Sequence, residues 1–326
     1  MRSARANRLV AVVGVLVVGL AGCGGGGGRV APQVEPTNYA PWPAGVEDPA
    51  NVAPADPAGS ESCDPRASYR PDGLDIPPGS TMDQIRDRGR LVVGVAQNTY
   101  LFGYRDPTDG QLKGFDIDIA QEIARALFGD PDRIQFRAVV SGDREAVLQQ
   151  DLVDIVVSTM TMNCERWQNV AFSTEYYSAG QRVLVTAGSA AEGIDDLGGQ
   201  RVCAASGSTS IENVAAAESG PIPVAVPDWT DCLVMLQQGQ VDAISTDDSI
   251  LAGLAAQDPT TKVVGEPFSE EPYGIAVRSS ERDLVRYVNA VLEQLRSDGT
   301  WTDIYNRWLA DHLGRGAEPP PARYRD

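Results

Sequence analysis

Residue types that carry covalent chemistry are scarce in this chain of 326 residues. His312 is the single histidine and lies near the carboxyl end, so a histidine-based nucleophilic triad has no foundation. The five cysteines contain no C-x-x-C pair, the spacing of a zinc or dithiol site. Five glycines, 24–28, are followed by no Lys-Ser or Lys-Thr and flanked by no strand, so they are not expected to cradle phosphate. What remains is binding chemistry. Gly207-Ser208-Thr209 opens a predicted helix, and the free N–H groups of a helix start favour an anion. Asp247 and Asp248 stand where an apolar strand run meets a helix, and either could cap it. Neither a cofactor nor a metal is expected.

The elements that must position these groups alternate. Ser80 and Asp83 approximate a capping box for a short helix ending near Gly89. Leu91-Val92-Val93-Gly94-Val95 reads as a buried strand. Ile117, Ile119, Ala120, Ile123, Ala124 and Leu127 form a helical stripe that Gly129 ends. A strand from Ile134 to Val140, a helix from Asp143 to Gln150 and a strand from Asp154 to Ser158 complete the unit. The pattern repeats: strand 201–205, helix after Gly207, helix 231–238, strand 241–245, helix 249–256. A returning strand, 274–277, leads into amphipathic helices at 283–297 and 301–309. Alternation of this kind predicts α/β with largely parallel sheets, in two units with a cleft between them.

The net charge of −18 disfavours nucleic acid and attraction to anionic lipid. Ahead of the predicted elements, Arg2, Arg5 and Arg8 precede an apolar run from Leu9 to Leu20, of signal-peptide length and short for a membrane span. Leu20-Ala21-Gly22-Cys23 closes that run and resembles the lipobox of bacterial lipoproteins. The resemblance implies removal of residues 1–22 as a signal peptide and a lipid on Cys23, which would hold the chain on the outer face of the membrane. Residues 23–79 read as a flexible tether, with order expected from Ser80, and 313–326 as a frayed tail. Cys63, Cys164, Cys203 and Cys232 remain, an even number in an exported chain. Two disulfides are expected, with three pairings open.

Further segments follow in a recognisable order. They are Leu91–Val95, Gly114-Phe115-Asp116-Ile117-Asp118-Ile119-Ala120, Arg144-x-Ala146-x-Leu148-x5-Asp154, and Thr159-Met160-Thr161-x4-Arg166. Phe172-Ser173-x2-Tyr176-Tyr177, Gly207-Ser208-Thr209, Gln238–Ala243, Tyr273–Val277 and Asp298-Gly299-Thr300 complete the set. Over about residues 80–310 the chain resembles the polar-amino-acid solute-binding proteins of ABC importers, bacterial extracellular family 3, in particular lipid-anchored glutamine/glutamate-type members. The resemblance implies a periplasmic-binding-protein type II-like fold, with two α/β lobes, a two-segment hinge and a ligand cleft. Lobe 1 would comprise 80–184 and 274–312, and lobe 2 would comprise 185–273. It also implies a non-enzymatic monomer that hands a free amino acid to the membrane permease of an ABC importer. The alternative partner is a membrane sensor protein. One enzyme class, the cyclohexadienyl dehydratase-like proteins, shares the architecture, but an intact Arg166/Asp247 pair favours an amino acid over prephenate-like substrates.

Enclosing a free amino acid strips water from a carboxylate and an ammonium, which is costly unless both are paired. By the resemblance, Arg166 is the bidentate donor to the carboxylate, and Thr161 donates to the same group. Thr159 faces the ammonium, and Asp247, preferred to Asp248, neutralises it. Thr209 and Ser208 complete the carboxylate site from lobe 2. Tyr100 covers the ligand, with Phe102 as the rival, in a stretch that lacks the family's frequent proline. The ligand class is glutamine, glutamate or aspartate. A dicarboxylic ligand needs a second cation, for which Arg105, Lys113 and Arg182 are the candidates. With the lobes so placed, Cys203 and Cys232 share a layer of lobe 2. Cys203–Cys232 is therefore favoured, which leaves Cys63–Cys164.

Overall fold

The apolar run Leu91–Val95 is an inner strand, paired in parallel with Ile134–Ala138 on one side and Ile155–Val156 on the other. A computed structural model describes residues 41–47, 51–54 and 63–326. The expectations for residues 1–22, Cys23 and the glycine run lie outside the described residues. Ala276–Arg278 joins antiparallel to Ile155–Val156, and Val170–Phe172 closes the edge of this first sheet. Leu91, Val93 and Val95 are fully buried. Removing such side chains from water contributes about 1.5–3 kcal/mol each. Helix Phe115–Phe128 lays its apolar stripe on this core, and Arg282–Asp298 adds Leu284, Val288, Val291 and Leu295. Ser80 caps helix Thr81–Arg88 by accepting from the Asp83 N–H at 3.2 Å, as its sequence predicts, and Gly89 ends it.

The second sheet repeats the plan. Its order is Ile222–Val226, Arg201–Ala205, Ala243–Asp247, Tyr177–Thr186, Thr261–Tyr273, with the first three parallel and the last two antiparallel. It has its own core, built on Leu184, Val224, Leu236, Ile244 and Leu251. Tyr177–Thr186 and Thr261–Tyr273 are long strands that pair from Tyr177↔Tyr273 to Thr261↔Thr186, with an irregularity between Val264 and Ser269. They link the two layers. The boundary expected at 184/185 falls inside the first of them, because the strand pairs along its length with the second sheet.

Two expectations about the chain ends need correction. Order does not begin at Ser80, and the carboxyl end is not frayed. Ala67–Ser68 pairs in parallel with Arg323–Tyr324. Asn289, fully buried, donates to Ser68 Oγ at 2.9 Å and to the Tyr69 carbonyl at 2.7 Å. The Arg325 guanidinium lies 3.7 Å over the Trp167 ring, and Arg286 pairs with Asp326. Earlier in the chain, Glu47 N donates to Ala225 O at 2.9 Å on the edge of the second sheet, and Val46 and Val52 pack on its core. Composition marks these segments as polar and Pro-rich. It does not reveal backbone bonds made to partners far along the chain. Cys63 is bonded to Cys164 and Cys203 to Cys232, the favoured pairing. Among the described residues, no helix is long and apolar enough to cross a membrane.

Candidate functional site

The candidate groups meet where the two layers touch, near the carboxyl ends of parallel strands. This is where open α/β sheets place ligands. Arg166 opens the short helix Arg166–Asn169 and is 6% exposed. Its Nη1 donates to Thr161 O at 2.8 Å, and its Nη2 reaches the second layer, donating to Gly207 O at 3.2 Å. Glu145 lies 3.8 Å from its Nε. Arg144 is buried beside it. Its Nη1 donates to Ser158 O and Thr159 O at 3.1 and 3.2 Å, and its Nη2 stands 3.5 Å from the same Gly207 carbonyl. Burial, then the like charge of Arg166, lowers the Arg144 guanidinium to about 9, while Asp247 opposes the shift. Gly207 is required for this convergence. Its φ is +68°, and a Cβ there would lie 2.5 Å from Gly142 Cα.

Thr161 and Thr209 come from opposite layers and meet at 3.3 Å between their hydroxyl oxygens. Both hydroxyls donate to one oxygen, Glu271 Oε2, at 2.7 Å each. Thr159 sits at φ +40°, an unfavourable conformation for a β-branched residue. Asp116 and Arg144 hold it there. Thr159 N donates to Asp116 Oδ2 at 3.0 Å, and its carbonyl accepts from Arg144. Asp116 is fully buried, also accepts from Tyr176 OH at 2.8 Å, and is pushed up to about 7 by burial.

Asp247 ends strand Ala243–Asp247 and is 3% exposed. Its Oδ2 accepts from Tyr273 OH at 2.5 Å, and its Oδ1 has no hydrogen-bond partner among the described residues. Burial, then the neighbouring Glu271 charge, pushes its carboxyl well above the usual range. Asp248 differs. Its Oδ1 accepts from Ser249 N at 2.7 Å and from Gly180 N at 3.4 Å, so backbone donors hold it. Ser208 caps helix Thr209–Ala216, accepting from Ile211 N at 3.3 Å and donating to Ala205 O at 2.6 Å.

Phe102 is fully buried against Phe115, Tyr177 and Tyr273, whereas Tyr100 is half-buried against Tyr104 and His312. The Tyr100 carbonyl lies so close to helix Asp248–Gln257 that a Cβ on Gly253 would come within 2.5 Å of it. Among the described residues, no hydrogen bond or ion pair joins Arg166 to Asp247.

The three cations expected to meet a second ligand carboxylate are engaged elsewhere. Arg105 donates to Gly110 O at 2.8 Å, Lys113 pairs with Asp106 and Asp109 at 2.6 and 2.8 Å, and Arg182 donates to Gly265 O at 2.6 Å. The second buried cation is Arg144, which sequence reasoning misses because a lone arginine at a helix start reads as a solvated charge. Glu271 escapes for a related reason: the acidic pair Glu270-Glu271 reads as exposed, yet the strand enters the interface after Glu270, so Glu271, Pro272 and Tyr273 are all buried while Glu270 faces solvent. A cavity of about 450 Å³ lies beside Arg166, lined by Ser141, Gly142, Glu145, Asn163, Gly207 and Glu212.

Residues 91–311 match the model of the bacterial extracellular solute-binding proteins, family 3. The chain is 38% identical over 232 residues to the ABC transporter glutamine-binding protein GlnH of Bacillus subtilis, covering 71% of this chain and 85% of that one. It is 31% identical over 240 residues to the glutamate-binding protein GluB of Corynebacterium glutamicum, covering 70% and 80%. A solved ancestral arginine-binding protein bound to glutamine superposes with a TM-score of 0.64 at 36% identity, covering 68% of this chain and 98% of that one. The architecture is that of type II periplasmic binding proteins. The chain belongs to the bacterial extracellular solute-binding proteins of family 3.

Proposed function

We propose that this protein captures a free polar or acidic L-amino acid, of the glutamine/glutamate class, between two lobes that close over it. It then delivers the ligand to the permease of an ABC importer. The lobes are 80–184 with 274–312 and 185–273, joined through the paired strands Tyr177–Thr186 and Thr261–Tyr273. Arg166 meets the carboxylate with Thr161, Thr209 and the helix start at Ser208. Asp247 and Thr159 meet the ammonium, and Tyr100 covers one side. Lobe closure follows from a ligand that touches both layers and so binds the closed arrangement better.

The observation that carries this reading is the Asp247 carboxylate. It is buried, and one oxygen lacks a partner among the described residues. An unpaired buried acceptor costs about 1–3 kcal/mol and invites a donor such as an ammonium. The two guanidinium groups nearby, Arg166 and Arg144, are the complementary charge. The relatives' names agree: glutamine for the Bacillus protein and glutamate for the Corynebacterium protein. A lipid on Cys23 holds the receptor outside the cytoplasm, at the membrane and near its permease. The chemistry is binding without turnover.

Calorimetry of the purified chain against the protein amino acids tests the reading. Tight binding of glutamine or glutamate is expected. Binding of none of them, or of prephenate-like acids in their place, would overturn it. Crosslinking in membranes identifies the permease, and Cys23→Ala should leave the chain unprocessed or released.

A further inference from the structure

Glu271 gathers donors from both layers and from the strand that links them. It stands near the end of Thr261–Tyr273 and is 2% exposed. Oε2 accepts from Thr161 Oγ1 on the first-sheet side and from Thr209 Oγ1 on the second, each at 2.7 Å. Oε1 accepts from Ser269 Oγ at 2.6 Å and from Asn213 Nδ2 at 3.1 Å. A threonine hydroxyl has one proton to donate. The protons that Thr161 and Thr209 would offer an entering carboxylate are already committed to an internal one.

We propose that Glu271 is a built-in competitor for the ligand's carboxylate. It docks on Thr161 and Thr209, holds the two layers together in the unliganded protein, and must yield both hydroxyls when a carboxylate ligand enters. This rests on the amino-acid reading of the site. It adds a residue that sets affinity and selects against weakly competing acids. The geometry has two consequences. The two hydroxyls must leave Glu271 before they can donate to a ligand carboxylate, so apparent affinity for a carboxylate ligand is lower than the intrinsic value, and a ligand that does not call on them is spared. The Glu271 charge also repels a ligand carboxylate and spares a neutral group, so between L-glutamine and its α-amide the effect falls on the one that carries the α-carboxylate.

The test compares the full wild-type chain with Glu271→Gln, which keeps the size and one acceptor oxygen but removes the charge. L-glutamine and its α-amide are titrated by calorimetry, and both unliganded proteins are measured by solution scattering. In Glu271→Gln, L-glutamine should bind about tenfold more tightly, and the α-amide should change by less than about twofold. The unliganded radius of gyration should rise as the layers separate. Where Glu271→Gln does not fold, Glu271→Asp withdraws the carboxylate by one carbon–carbon bond and should shift both readings the same way. Unchanged or weaker L-glutamine binding, an α-amide that gains as much as L-glutamine, or a wild-type radius in the unliganded variant would overturn the proposal. If neither probe binds the wild type, the amino-acid reading fails, and the unliganded radius still decides whether Glu271 holds the layers together.

Discussion

The two sheets share a strand plan but are assembled and charged differently. The second is built from the continuous stretch between Tyr177 and Tyr273, with Glu47 on its edge, and its disulfide spans 29 residues. The first gathers distant pieces. Ala276–Arg278 returns to it late, Ala67–Ser68 and Arg323–Tyr324 pair beside it, and its disulfide spans 101 residues. The first side brings Arg144 and Arg166 to the interface. The second brings Asp247, with its unpaired oxygen, and the helix start at Ser208. The cationic and anionic halves of the proposed receptor thus stand on different sheets, and only their approach makes a site for both ends of a zwitterion. The sheet that carries the guanidiniums is also the one braced by Pro65 and Arg325, which meet Trp167, the neighbour of Arg166.

The most severe way to break this comparison is to remove one charge. Arg166→Ala should weaken amino-acid binding by about 3–5 kcal/mol, roughly 100- to several-thousand-fold, and Asp247→Ala should do nearly as much. Arg166→Lys should recover only part, because a point charge does not replace a planar fork. Asp248→Ala is the control and should cost much less, since backbone N–H groups occupy its carboxylate. Calorimetry reads all four. Near-normal affinity in folded Arg166→Ala, or a larger loss at Asp248 than at Asp247, would break the assignment.

The cross-links sharpen the contrast next. Chain-entropy arguments give the longer closure about 4–5 kcal/mol and the shorter about 3–4 kcal/mol. Cys63→Ser/Cys164→Ser should therefore destabilise more than Cys203→Ser/Cys232→Ser in denaturant unfolding. The first double variant should also weaken ligand binding more than the second, because Cys164 is two residues from Arg166 and its bond ties residue 63 to that loop. Equal effects on binding would remove the difference between the halves.

A pH experiment isolates one buried acid of the first half. The Asp116 carboxyl is raised to about 7 by burial. The unfolded group titrates near ~3.9, so between these values the native state holds a proton that the unfolded state lacks. Stability from this group therefore falls as pH rises from about 4 to about 7. Wild type should gain about 2 kcal/mol from it on going from pH ~7 to ~5, and Asp116→Asn should lose that gain. Identical pH slopes in the two proteins would show that Asp116 does not titrate in this window. The smallest expected effect is at the chain end. Arg325→Ala removes the cation over Trp167 and should cost about 0.5–1 kcal/mol in thermal unfolding.

Local chemistry carried much of the architecture. Ser80 and Gly89 bound a helix, and the apolar run Leu91–Val95 became an inner strand. The stripe from Ile117 to Leu127 packed where its period places it, because caps and periodicity act over a few residues. The order of short motifs along the chain also placed Arg166, Thr161, Thr209 and Asp247 in one region. Tertiary structure decided the rest. The linking strands Tyr177–Thr186 and Thr261–Tyr273 carry polar and Pro-containing stretches, and they exist because each pairs with the other. Residues 63–70 and 323–326 look like loose ends until they bond to each other and to Asn289. Arg144 and Glu271 look like solvated charges until two layers close on them. Which hydroxyl meets which carboxylate is set by long-range packing, because a hydrogen bond needs its partners within about 3 Å and no spacing along a chain specifies a distance between two sheets.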